Sequence, residues 1–114
     1  MAVAAIHTGA LLDEIEEVFA LSNSAMGRLF GVSRQAIGQW RARGVPGSRQ
    51  EKVATVAAVA DLLLHSLKPE RIAGAARRPA AAYGGLTMLE MIRRDRHREL
   101  LDLVRASFDW ATTA

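Results

Sequence analysis

Apolar residues recur at every third or fourth position along most of the chain, and no alternating run of apolar and polar residues persists. Spacings of three and four place side chains on one face of an α-helix, whereas strict alternation indicates a strand. The clearest case is a first helix over about residues 8–21, with one face formed by Leu11, Leu12, Ile15, Val18 and Phe19. The pattern predicts five or six helices, no strand, and an all-α fold.

Helix-capping residues delimit the next two helices. Ser22 precedes a short second helix that ends at Phe30, where Gly31 supplies a residue that adopts the left-handed conformation easily. Ser33 is in the capping position of a third helix, and Gly44 ends it. The sequence therefore predicts two short helices joined by a tight turn.

A long central helix follows the turn at residues 45–47. We predict that it starts with a capping box at Ser48–Glu51 and ends near Leu67. Residues 53–67 are apolar on nearly every side, so this helix is predicted to be buried by the N-terminal helices on one face. The other face requires the C-terminal segment or a second subunit.

The C-terminal segment contains shorter elements. Pro69 opens a short fifth helix, and residues 77–85 read as a loop interrupted by proline and glycine. A second capping box is predicted at Thr87–Glu90, and Asp95 is a candidate cap for the last helix. That helix has one apolar face, formed by Leu100, Leu103, Val104 and Phe108.

Composition and charge narrow the class of protein. The chain has 114 residues, half of them apolar, and no cysteine, which excludes disulfides and thiolate metal sites. The net charge is +3, with basic residues concentrated at 34–52 and 93–98 and an acidic first helix. This asymmetry is typical of a protein with one anion-binding side. The longest apolar run, 53–64, is too short to span a bilayer, and the N-terminus does not read as a signal peptide, so we expect a cytoplasmic protein.

The predicted third helix has an unusual outward face. Ile37 and Trp40 point inward, while a stripe of short or amide side chains points outward at Gln35, Gly38, Gln39 and Ala42. Arg34 and Arg41 lie on one flank of that stripe and Arg43 on the other. A slim face with two amides fits the DNA major groove, where amides read base edges and arginines contact phosphates. The alternative interpretation is an ordinary solvated helix surface.

The stretch LSNSAMGRLFGVSRQAIGQW resembles the Xre or Cro type of helix-turn-helix. The resemblance rests on small Gly27, turn residue Gly31, cap Ser33, and the anchors Ile37 and Trp40; the family usually has alanine where Gly27 stands. It implies that operator DNA is bound by Ser33, Arg34, Gln35, Gln39, Arg41 and Arg43, and we expect Arg49 and Lys52 to extend the contact. One such helix reads few bases, so we expect a homodimer.

The C-terminal half resembles a second pattern, that of Xre/MbcA/ParS-type antitoxins. It contains Pro79, three alanines, Tyr83, the Gly84–Gly85 turn, and then apolar positions at Leu89, Ile92, Leu100, Leu101 and Val104. It departs from the family at Ala75, Ala80 and Met88, where the family commonly has tryptophan, asparagine and proline. The resemblance implies a type II antitoxin that binds operator DNA and neutralises a RES-domain, NAD-consuming toxin, as a homodimer within a hetero-oligomeric complex. It also implies two domains: a helix-turn-helix bundle with the central helix at 1–67 and a small toxin-binding helical domain at 68–114.

The segment supplies several candidate contacts with such a toxin: Tyr83, Arg93, Arg94, Arg96, Arg98 and Trp110. Trp110 lies close to the C-terminus, and we expect that tail to reach the toxin's active-site cleft. Core packing is the alternative for Tyr83, and a solvated helix face is the alternative for the arginines.

Catalytic and metal-binding patterns are weak. His7, His65 and His97 are scattered without metal-ligand spacing. No histidine lies at a useful distance from Ser107, Asp109 or the acidic cluster of Glu14, Glu16 and Glu17. We expect no enzymatic activity, no metal and no cofactor, and we expect His65 to be a core residue. Two other functions stay open: an adaptor whose helix-turn-helix only dimerises, and a stand-alone transcriptional repressor.

Overall fold

The computed structural model describes the backbone of residues 2–113 and the side chains of residues 9–108. Its elements are α1 (Ala2–Phe19), α2 (Asn23–Phe30), α3 (Arg34–Arg43), α4 (Gly47–Ser66), α5 (Pro69–Ala76), α6 (Met88–Arg93) and α7 (His97–Thr113). A 3-10 turn, Ala81–Tyr83, lies between α5 and α6. The described backbone contains no strand, so the predicted all-α class is confirmed.

Helix α4 is the centre of the molecule. Helix α1 packs on one side of it and α7 packs on another, so its apolar residues are almost fully covered, including Val53, Val56, Val59 and Leu63. This confirms the predicted burial of the central helix by both ends of the chain. A single cluster of buried side chains extends from Leu12 to Val104. The division into two domains at residue 67 stays a prediction.

The C-terminal helices complete the core. Helix α6 packs on α2, α5 lies beside α1, and α7 crosses both α4 and α6. Met91, Ile92 and Leu100 are fully buried, and Phe108 packs against the core with part of its surface exposed. The predicted apolar face of the last helix therefore faces the chain's own interior.

The two predicted capping boxes have different outcomes. At Thr87, the hydroxyl accepts a hydrogen bond from the Glu90 amide and the Glu90 carboxylate accepts one from the Thr87 amide, both at 3.0 Å. The box predicted at Ser48 is wrong, because α4 begins at Gly47 with Pro46 at its N-cap and has no side-chain cap. Glu51 instead bonds to Arg98 of α7.

Two other expectations are also wrong. His65 is exposed rather than in the core, because the last turn of α4 (residues 64–66) projects beyond the helices that cover the rest of it. Asp95 does not begin α7, which starts at His97. It adopts a left-handed conformation with φ 61°, and its carboxylate accepts a hydrogen bond from Lys52.

Candidate nucleic-acid interface and C-terminal surface

Helices α2 and α3 form the predicted helix-turn-helix. The Ser22 hydroxyl caps α2 by accepting the Ala25 amide at 3.1 Å, and the Ser33 hydroxyl caps α3 by accepting the Ala36 amide at 3.1 Å. Gly31 adopts the left-handed conformation, φ 71°, that ends α2. All three signals were predicted from the sequence, because caps are encoded by residues next to the helix end.

Gly27 allows α2 to lie directly against the turn. A Cβ atom added there would be 2.5 Å from the carbonyl oxygen of Val32 and 3.1 Å from the carbonyl carbon of Ser33. The Val32 amide also donates to the Gly27 carbonyl at 2.8 Å. The absence of a side chain at this position therefore sets the distance between α2 and the start of α3.

Two anchors hold α3 to the body. Ile37 is fully buried and Trp40 is 6% exposed. The Trp40 ring meets the Phe30 ring edge to face, with centroids 6.1 Å apart. These contacts fix the rotation of α3 about its axis, so its opposite face points away from the core.

The opposite face carries the predicted stripe. Gln35, Gly38, Gln39 and Ala42 are all exposed, and a Cβ atom at Gly38 would have no neighbour within 4 Å. The two amides therefore lie on an open surface whose centre has no side chain. This is the geometry that entry into a groove requires.

The three arginines beside the stripe have different surroundings. Among the described residues, Arg34 and Arg43 are exposed and have neither an ion pair nor a side-chain hydrogen bond. Arg41 instead contacts the carboxylate of Asp13 and lies 3.1 Å from that of Glu16. It also donates to the side chain of Asn23 at 3.2 Å. The Arg41 guanidinium thus ties α3 to both α1 and α2.

Arg49 and Lys52 do not extend the exposed basic surface as expected. The Arg49 guanidinium donates to the Phe30 carbonyl at 2.8 Å, and the Lys52 ammonium donates to the Leu29 carbonyl at 3.1 Å. Carbonyls in the last turn of a helix have no partner within the helix, and positive charge is favourable there. Both side chains therefore complete the C-terminus of α2, and Lys52 is only 8% exposed.

Lys52 also connects the helix-turn-helix to the C-terminal half. Its ammonium donates to the Asp95 carboxylate at 2.8 Å and lies 5.7 Å from the centroid of the Phe30 ring. The lysine lowers the pKa of Asp95, mainly through this hydrogen bond and also through its charge. No local sequence signal indicated this contact, because the two residues are far apart in the chain.

A second polar group joins α4 to α7. The Glu51 carboxylate accepts from the Arg98 Nε at 3.0 Å and lies 3.3 Å from Nε2 of His97. The pKa of Glu51 is lowered to about 2, first by the Arg98 hydrogen bond and then by that of Thr55. His97 is 7% exposed, and its Nδ1 has no hydrogen-bond partner among the described residues.

The predicted toxin-binding residues fall into three groups. Arg93 and Arg94 are exposed at the end of α6, and Tyr83 is partly buried before the Gly84 turn, where burial raises its pKa. Arg96 pairs with Glu99 at 2.9 Å, and Arg98 pairs with Glu51 at 3.0 Å. The side chain of Trp110 lies outside the described residues.

The described residues show neither a cluster of metal ligands nor a membrane-spanning helix. They contain no group of three or more histidine, cysteine, aspartate or glutamate side chains placed to hold a metal ion. None of their helices combines the length and the hydropathy needed to cross a bilayer.

The fold and the exposed amide stripe define an all-α helix-turn-helix protein with an added helical C-terminal half. No protein-family model matches the sequence, and no curated protein is significantly similar to it. Among solved structures, it is similar to a chain of the crystal structure of the M. tuberculosis MbcT–MbcA toxin–antitoxin complex, with a TM-score of 0.70. The match covers 86% of this chain and 90% of that chain at 19% sequence identity. The resemblance to MbcA-type antitoxins is thus confirmed at the level of the fold.

Proposed function

We propose that this protein is the antitoxin of a type II toxin–antitoxin system, which neutralises its toxin by direct binding and represses its own operon by binding operator DNA. The observation that carries the proposal is the fold shared with a component of a toxin–antitoxin complex over nearly the whole chain. The exposed stripe on α3 supports the DNA-binding part, because its residues have no structural role in the described part of the chain.

In the DNA-binding step, α3 enters the major groove. Gln35 and Gln39 hydrogen-bond to base edges, with adenine as the preferred partner of each amide. Arg34 and Arg43 contact phosphates, and the Ser33 cap orients the start of the helix. Arg41 acts as a positioning residue, because its guanidinium is already bound to Asp13 and its neighbours. A homodimer places two such helices about 34 Å apart, one helical turn of DNA.

In the neutralising step, the C-terminal half binds a RES-domain, NAD-consuming toxin in the cytoplasm. Arg93 and Arg94 are available for an acidic rim on that toxin, since neither has an ion pair within the described residues. Arg96 and Arg98 have carboxylate partners within the chain and contribute less. Tyr83 and the tail bearing Trp110 supply the apolar part of the contact.

Co-expression tests the proposal. We expect the proposed RES-domain toxin to arrest growth when it is expressed alone, and we expect co-expression of this chain to restore growth. The double substitution Gln35→Ala with Gln39→Ala removes operator binding and retains rescue. Arg94→Glu with Trp110→Ala removes rescue and retains operator binding. Failure of the unmodified chain to restore growth contradicts the antitoxin assignment.

A further inference from the structure

A cleft of about 250 Å³ lies between α2 and α6, where the helix-turn-helix meets the C-terminal half. Part of its lining is apolar and consists of Leu21, Ala25, Leu29 and Leu89. Leu21 and Leu29 belong to the main core and are 8% and 4% exposed. The cleft therefore has a firm apolar floor, held in place by the same packing that joins the two helices.

Three arginines also line this cleft. Arg28 comes from α2, Arg77 from the end of α5 and Arg93 from α6, and all three are exposed. The side chain of Arg28 has no hydrogen bond or ion pair within the described residues. Three elements that are separate in sequence thus bring positive charge to one opening.

Arg77 is fixed in position but not neutralised. Its guanidinium donates to the carbonyl of Ala73 at 2.8 Å and to that of Ala20 at 3.2 Å. Both acceptors are uncharged, and a guanidinium has five N–H donors, so further donors remain for a ligand. An arginine held in this way loses little side-chain freedom when it binds an anion.

Glu90 supplies the one carboxylate in the lining, and it is already engaged. It accepts a hydrogen bond from the Thr87 amide at 3.0 Å, and the pKa of Glu90 is lowered, first by the hydrogen bonds with Thr87 and less by Arg94 and Arg93. Three guanidinium groups face one carboxylate, so the opening has excess positive charge. The mutual repulsion of the arginines favours an anionic ligand.

The volume and the lining of the cleft indicate the kind of anion that it binds. Small-molecule sites usually enclose about 300–1,000 Å³, and this cleft is below that range. A cleft of this volume has room for one or two side chains of a ligand. A DNA backbone makes no use of an apolar floor, whereas a peptide with adjacent acidic and apolar residues uses both the floor and the basic rim.

We propose that this cleft binds a short acidic and apolar peptide segment of a partner protein. A carboxylate side chain of the segment pairs with the guanidinium groups of Arg28, Arg77 and Arg93. A neighbouring apolar side chain packs on Leu29 and Leu89. The cleft shares Arg93 with the surface proposed above for the toxin, but the proposal rests on the lining of the cleft and does not depend on the antitoxin assignment.

The test uses a short capped peptide of alternating glutamate and leucine, titrated into the ¹⁵N-labelled full chain and followed by NMR. A second peptide has glutamine in place of glutamate. We expect saturable shifts at Ala25, Leu29 and Leu89 with the first peptide and binding weaker by about tenfold with the second. The absence of saturable shifts, equal affinity of the two peptides, or shifts confined to other surfaces overturns the proposal.

Matched variants separate the cleft from general charge. Arg28→Glu with Arg93→Glu is expected to weaken peptide binding by about tenfold or more, since the carboxylate would then meet like charge. Arg71→Glu with Arg105→Glu makes the same change in net charge at exposed sites of α5 and α7 and leaves binding within about twofold. Thermal unfolding verifies that both variants are folded. Equal weakening of peptide binding in the two double variants contradicts the proposal. So does a cleft variant that loses DNA binding but binds the peptide as tightly as the unmodified chain.

Discussion

Gly27 lies directly against the carbonyl oxygen of Val32, and a Cβ atom added to the glycine would be only 2.5 Å from that oxygen. Because the opposing atom belongs to the backbone, it cannot rotate away as a flexible side chain would. The same carbonyl belongs to the turn that sets α3 in place. The spacing of the helix-turn-helix therefore depends on glycine at this position.

Gly27→Ala is expected to destabilise the protein by about 1–3 kcal/mol, since over-packing outweighs the gain in helix propensity. Denaturant unfolding of the full chain measures the effect. Proteins of the Xre or Cro type usually have alanine at this position. A neutral or stabilising result would mean that α2 and the turn can move apart far enough to hold the added methyl group.

Gly38→Ala has the opposite expectation for stability. The position is in the middle of α3 and open to solvent, so alanine adds up to about 1 kcal/mol of helix stability. The same methyl group is expected to weaken operator binding, because it occupies the centre of the face that enters the groove. Unfolding and fluorescence anisotropy with operator DNA measure the two effects. Improved stability with unchanged DNA affinity would remove this face from the DNA interface.

Arg41 and Arg43 are predicted to differ in their response to salt. Arg43→Ala removes a phosphate contact and reduces the slope of log affinity against log salt by about 1. Arg41→Ala lowers affinity and stability, because α3 loses its ties to Asp13 and Asn23, but leaves the slope nearly unchanged. Operator titrations at several salt concentrations measure the slopes. Equal reductions in slope for Arg41→Ala and Arg43→Ala would mean that Arg41 also contacts a phosphate.

Acid unfolding tests the contact between Glu51 and α7. The pKa of Glu51 is lowered from 4.5 to about 2 in the folded chain, so its stabilising effect is present above pH 4.5 and is lost as the pH falls towards 2. Glu51→Gln is expected to lower stability at pH 7 and to flatten the decline between those two values. The carboxylate is half exposed, so added salt reduces the difference between the two proteins. If the variant keeps the steep decline in stability, that decline comes from other titratable groups.

Features encoded by neighbouring residues were predictable from the sequence. The caps at Ser22, Ser33 and Thr87, the left-handed turn at Gly31, and the inward direction of Ile37 and Trp40 all follow from spacings within one helix turn. Helical periodicity likewise indicated the all-α class and the central position of α4.

Features that depend on distant contacts were not predictable. Lys52 looked like an extension of the basic surface, yet it is buried between the end of α2 and Asp95. Arg41 looked like a phosphate contact, yet carboxylates of α1 bind it. Helical periodicity indicates which face is apolar, but it does not indicate which charged groups meet after helices pack. The arginine cleft between α2 and α6 was missed for the same reason.

The most direct test of the antitoxin assignment is a titration in which this chain is added to a purified RES-domain protein, the toxin proposed as its partner, with NAD consumption as the readout. We expect the rate of NAD consumption to fall to background as this chain is added and to stay there beyond a fixed molar ratio. An undiminished rate in the presence of an excess of the folded chain would contradict the assignment.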